Sequence, residues 1–247
     1  MRRFLLTALL LSAGTAGTEP DARAIVQATI DHYRGSSSQA RMTMIIHRKD
    51  WERRMSMAVW TAGDEQSLVR VLSPPRDAGN GTLTRDGGMW TYTPKINRII
   101  KIPASMMNQN WMGSDFSNRD VARSDDLVDR YTHELLDSRE EDGRVIYRIA
   151  STPLPEAAVV WGREELEIRE DWVLLRQDFF DQDGERVKSL VTREIREMSG
   201  RTVAAVMRMT QVEEPGEWTE MRIEAIDYDR PLRDALFTLA NLRNPRE

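Results

Sequence analysis

The sequence predicts a mainly β (α+β) chain: a single strongly curved antiparallel sheet forming an unclosed half-barrel. An N-terminal helix and a short helical or loop flap would cover its concave face. Three observations predict it. Period-two alternation recurs in segment after segment from Ala40 to Tyr228, short turn-forming clusters separate the segments, and one amphipathic helix precedes them. A long meander with one apolar face must cover that face, by closing or by wrapping around a helix. One helix cannot fill the concave side of so many strands, so a second packing layer or a cavity is left over.

The chain opens on Arg2 and Arg3, an apolar run from Phe4 to Leu11, and small residues to Gly17. That pattern predicts a secretory signal peptide over residues 1–17, with the folded domain over 18–247. The apolar run is too short to cross a membrane, which takes about 20 residues. An exported, periplasmic location follows as an expectation. Cysteine is absent throughout. This excludes disulfides, thiolate nucleophiles, cysteine zinc sites and the lipid-bearing cysteine of a bacterial lipoprotein. The net charge of −5 argues against a general nucleic-acid binder, which would carry a basic excess.

Pro20 and Asp21 start a helix that runs to Tyr33, and Gly35 stops it. Alternation then predicts strands over Ala40–Ile46, Arg53–Thr61 and Ser67–Val71. Pro74-Pro75 to Gly81 interrupts them. Short strands follow near Thr82–Arg85, Met89–Thr93 and Arg98–Ile102, with Asp86-Gly87-Gly88 as a hairpin turn. Residues Asp120–Asp129 are polar and helix-compatible. Seven more strands run over Tyr131–Asp137, Val145–Ser151, Val159–Arg169, Val173–Asp181, Arg186–Arg196, Thr202–Val212 and Thr219–Tyr228. Turn clusters such as Glu141-Asp142-Gly143 and Ser199-Gly200 lie between them. The tail from Pro231 to Leu242 reads as a helical turn with an apolar hook, Ala235 to Leu239.

Catalytic signals are sparse. His32, His47 and His133 have no close metal-binding spacing, and no Gly-x-Ser-x-Gly elbow, phosphate loop or dinucleotide fingerprint occurs. Carboxylates such as Glu164, Glu165 and Glu167 are abundant, and a glycosidase needs two in one cleft, but Glu165 and Glu167 would share a strand face with Arg163 and Arg169, as on a solvated outer face. No enzyme and no cofactor is expected. Apolar surface is what remains. Met42, Met44, Met55, Met57, Met207, Met209 and Met221 lie on strands, and methionine suits surfaces that fit variable apolar partners. Between Ala104 and Phe116 lies apolar text with neither helical nor strand period. It reads as a flap: Met106, Met107, Trp111, Met112 and Phe116, with Gly113 allowing a turn and Ser114 and Asp115 tying it down locally. Met42, Met44, Met55, Met57, Trp90, Met207 and Met209 are the expected cavity wall.

Trp111-Met112-Gly113-Ser114-Asp115-Phe116-Ser117-Asn118-Arg119-Asp120-Val121 resembles the Met-Gly-Ser-Asp-Phe block of the outer-membrane lipoprotein-sorting (LolA/LolB-like) family. Trp90 to Pro94, Val159 to Gly162, Phe180 to Gly184 and Leu236 to Leu239 match it in order. The resemblance implies an unclosed β-barrel with helices plugging its apolar side; a monomer is expected, and the charge balance already argues against nucleic-acid partners. It also implies a soluble periplasmic carrier that holds acyl chains of a lipoprotein or lipid for transfer towards the outer membrane. An inner-membrane exporter would hand the cargo over. The alternative is a partner-binding accessory module of an envelope export complex, without lipid cargo.

Overall fold

In a computed structural model, residues 20–122, 126–157 and 159–245 are described. The expected signal peptide lies outside them. Helix α1 (Ala22–Arg34) is capped by Asp21, whose side chain accepts from the Arg23 N–H, and stops at Gly35 with φ 64°. Six strands follow: β1 (Ser37–Arg48), β2 (Trp51–Ala62), β3 (Gln66–Ser73), β4 (Gly81–Arg85), β5 (Gly88–Thr93) and β6 (Arg98–Lys101). Helices α2 (Asn118–Ala122) and α3 (Asp126–Asp129) lie in a long connection. Seven more strands complete the sheet: β7 (Tyr131–Glu141), β8 (Arg144–Pro153), β9 (Arg163–Arg169), β10 (Leu174–Phe180), β11 (Arg186–Met198), β12 (Arg201–Gln211) and β13 (Trp218–Tyr228). Helix α4 (Leu239–Arg243) ends the chain.

The strands form one antiparallel sheet of thirteen that does not close. Its order is β6-β5-β4-β3-β2-β1-β13-β12-β11-β10-β9-β8-β7. All neighbours are consecutive in sequence except β1 and β13, which pair in the middle. The chain therefore starts centrally, runs out to one edge at β6, crosses to the other edge at β7, and returns. The crossing segment is the flap of the sequence.

Alternation sets the two faces. Ala40, Met42, Met44 and Ile46 on β1 are buried, while Gln39 and Arg41, on the opposite phase, are exposed. Met55, Met44, Met221 and Met207 stand directly opposite one another on β2, β1, β13 and β12. This row of four methionines crosses the central pairing.

The concave face is covered in two halves. Over β1–β5, Met107 and Trp111 of the crossing segment pack on Met44, Met55, Met57, Val69, Val71 and Met89. Over β8 and β9, Ala22, Ile25 and Val26 of α1, with Val128 of α3, pack on Ile149, Leu166 and Ile168. The convex side is not bare either. Phe237 and Leu242 of the C-terminal hook cover Leu68 and Leu83, which alternate with the concave residues of β3 and β4. The strand expected from Val159 starts only at Arg163. Gly162 instead lies against the Asp181 backbone, where an added Cβ would sit 2.2 Å from a carbonyl oxygen. The Gly162 N–H donates to the Phe180 carbonyl at 2.9 Å, so this close approach lies at the end of β10, just before β9 begins.

Candidate functional site

The crossing segment is held by a short, strongly specified block. Met112 and Gly113 are consecutive left-handed residues, φ 52° and 78°, which turn the chain sharply after Trp111. The Ser114 hydroxyl donates to the Trp111 carbonyl at 2.7 Å and accepts from the Phe116 N–H at 3.2 Å. Asp115 acts over long range rather than locally. Its carboxylate, with 2 % of the side chain exposed, takes two bonds from Arg48 (3.0 and 3.1 Å), one from Thr219 (2.6 Å) and one from Gln211 (2.9 Å). Its backbone N–H donates to the Thr219 hydroxyl. One aspartate thus binds the segment to β1, β12 and β13. Trp111 is 1 % exposed and its indole N–H donates to Thr82 on β4 at 3.1 Å.

This geometry corrects the expected wall. Met44, Met55 and Met57 do not face open space, because Trp111 and Met107 fill the concavity above them. Met42 packs with Ala40, Ile223 and Ile226. Trp90 is turned to the opposite face from Met89 and packs under the C-terminal hook, with Lys101 over its ring. Met106 is exposed and Met112 is half-buried against the methionine cluster. The anchored block is a plug over one half of the sheet.

The other half keeps a cavity of about 240 Å³. Its roof is α1, through Val26, Thr29, Ile30 and Tyr33. Phe116, Arg119 and Asp120 of the crossing segment form one side. The floor is the concave face of β9–β12, including Leu166, Leu174, Phe179, Leu190, Val203 and Ala204. Of the expected wall and flap residues, Met207, Met209 and Phe116 line it. Trp161 closes one end, tilted against Phe179 at 5.4 Å between ring centres. Exposed Tyr33 and Trp172 also line the cavity and so mark its mouth.

Polar side chains also reach this mostly apolar lining, and three of them, Tyr131, Glu164 and Gln177, are joined by hydrogen bonds. Glu164 is 5 % exposed. Its two oxygens accept from the Tyr131 hydroxyl at 2.9 Å and the Gln177 amide at 2.6 Å. Burial pushes its carboxyl up to about 7, against the lowering effect of those two bonds. Nearby, Lys188 is 6 % exposed at its side chain, bonds Asp120 at 2.6 Å, and lies over the rings of Phe179 and Trp161. Glu164 is the residue that sequence reasoning passed over. The signal was its phase: Glu164 alternates with Leu166 and Ile168, so it belongs to the buried face, while Glu165 and Glu167 pair with surface arginines. Among the described residues, no group of three or more His, Asp or Glu is placed to hold a metal ion, and no helix is long and apolar enough to cross a membrane.

A model of a family described as "Uncharacterized protein" matches residues 63–244. Among solved structures, a DUF1329 family protein from Desulfovibrio piger is similar, with 25% identity and a TM-score of 0.80, over 90% of this chain and 100% of that one. A putative outer membrane lipoprotein-sorting protein domain from Vibrio parahaemolyticus has 18% identity and a TM-score of 0.79, over 90% and 98%. A LolA superfamily protein from Nitrosomonas europaea has 19% identity and a TM-score of 0.75, over 90% and 99%. No curated protein matches.

Proposed function

We propose a carrier function for this chain, which belongs to the family matched over residues 63–244 and has the LolA-superfamily, lipoprotein-sorting fold. In this reading it is a soluble periplasmic protein that takes up acyl chains of a lipoprotein or lipid and moves them towards the outer membrane. The observation that carries the reading is the apolar cavity between α1, Phe116 and the β9–β12 floor. Its volume lies just below the roughly 300–1,000 Å³ usual for ligand pockets, which suits a single chain rather than a whole diacyl lipid. Each buried methylene is worth about 0.8 kcal/mol, so ten of them supply roughly 8 kcal/mol before the cost of ordering the chain. An inner-membrane exporter would deliver cargo at the mouth, where Tyr33 and Trp172 expose apolar surface.

Native mass spectrometry with lipid extraction tests the carrier. Acyl species should co-purify with the protein and be lost in Ala204→Phe, which fills the cavity floor while leaving the anchored plug intact. A folded, empty wild-type protein that captures an inner-membrane exporter would replace the carrier by a docking module.

A further inference from the structure

The cavity lining is mostly apolar, and its polar residues include one buried, hydrogen-bonded cluster, Glu164 with Tyr131 and Gln177. Glu164 lies directly opposite Ser151 on β8 and Phe179 on β10, on the buried face of β9. Gln177 occupies a row that is otherwise apolar, opposite Leu166 and Leu190. An amide there is costly unless it bonds, and it bonds Glu164. Tyr131 reaches the other carboxyl oxygen from β7. A carboxylate has about four acceptor positions, and these two donors use one on each oxygen. Capacity to accept further hydrogen bonds therefore remains on a buried group that lines the cavity.

The charges around Glu164 decide what it would accept. Lys188 on β11 is taken by Asp120 of α2 at 2.6 Å. Arg119 also lines the cavity, but it is half-exposed, and screening near solvent reduces what its charge contributes. His32 on α1 bonds the Thr202 carbonyl at 2.7 Å. His133 on β7 meets the Ser151 hydroxyl at 2.9 Å, and burial holds its imidazole below the ordinary range. Among the described residues no cation is hydrogen-bonded to Glu164, and Lys188 acts on it only through space.

We propose that Glu164, held by Tyr131 and Gln177, is a head-group anchor that selects single-chain amphiphiles with a cationic, hydrogen-bond-donating head, an alkylamine class, over anionic lipids. This rests on the carrier reading and adds the chemistry of the cargo's polar end. An alkyl ammonium would give Glu164 its missing counter-ion inside a low-dielectric wall, where a charge-assisted bond is about twice as strong as a neutral one. A fatty-acid carboxylate would instead face a like charge or force Glu164 to stay protonated. Binding of an amine is then linked to ionisation of Glu164, whose carboxyl is held near 7 by burial. An alkylamine stays charged well above that pH.

The test is titration of the purified full chain with decylamine, decanol and decanoate by calorimetry at pH 5.5 and pH 8. Decylamine affinity should rise roughly thirtyfold between the two, as expected for coupling to a carboxyl near 7. At pH 8 the order should be amine, then alcohol, then acid, with about tenfold between amine and acid. Glu164→Gln should abolish both the pH dependence and the preference for decylamine over decanol. Gln177→Leu, which matches its apolar row, should move the midpoint of the amine profile to higher pH. Decanoate binding as tightly as decylamine at pH 8, or an unchanged pH profile in Glu164→Gln, overturns the anchor and leaves the carrier standing. No binding of any decyl compound removes the carrier reading and the anchor with it.

Discussion

At the scale of single residues, Asp115 and Glu164 are two buried carboxyl groups with opposite surroundings. Asp115 is matched by the Arg48 guanidinium and two further donors, so it locks the Trp111–Phe116 block onto three strands. Removing one partner of a buried pair usually costs about 3–5 kcal/mol, because the other charge is left behind. Arg48 retains Glu217 at 3.2 Å, which places Asp115→Asn at the low end, about 3 kcal/mol. Urea denaturation measures it, and a loss well under 1 kcal/mol would mean that the network does not anchor the plug. Glu164 has no such match. Its folded carboxyl sits at about 7 against an ordinary 4.5, so its contribution to stability is full below pH 4.5 and is lost as pH rises through about 7. The shift corresponds to about 3 kcal/mol. Melts of wild type and Glu164→Gln at pH 5 and pH 8 check this: the variant, which does not titrate, should gain on wild type as pH rises.

At the scale of elements, the crossing segment divides into a fixed part and a rim. Trp111 is in the fixed part, surrounded by methionines and bonded to Thr82. Trp111→Ala should cost about 3–5 kcal/mol by chemical denaturation. Phe116 is half-buried at the cavity side, so Phe116→Ala should cost clearly less while changing uptake of an apolar dye. Equal costs for the two would contradict this division. Sequence reasoning recognised the segment as a cover because its apolar residues have no period. It could not tell which half of the sheet the segment covers, since that depends on Arg48, Gln211 and Thr219, all distant along the chain. The same limit explains Trp90. Alternation separates Met89 from Trp90, but which of the two faces inward is fixed by the hook around Phe237. In β9 the alternation was enough to place Glu164 inside, and the arginine-rich outer face of that strand drew attention away from it.

At the scale of the whole molecule, the mainly β class, the curved and unclosed sheet, the leading helix and every strand were legible in period-two alternation and turn chemistry. The position of the cavity was not. It arises because α1 and the plug cover different halves of one concave face, and alternation carries no information about which half each cover reaches. The pairing of β1 with β13 has a further consequence. Suppose the two ends were joined and the chain opened at the crossing segment instead. The sheet then becomes an unbroken up-and-down ribbon from β7 through β13 and β1 to β6, in which each strand pairs with the next along the chain. Real connectivity cuts that ribbon at its midpoint. Two locally assembled meanders, of six strands and seven, must find each other at a single seam between residues near 40 and residues near 225. Long-range pairing of this kind is the slow step in β folds. The methionine row lies across the seam, and its adaptable side chains are the ones that must mesh when the two halves meet.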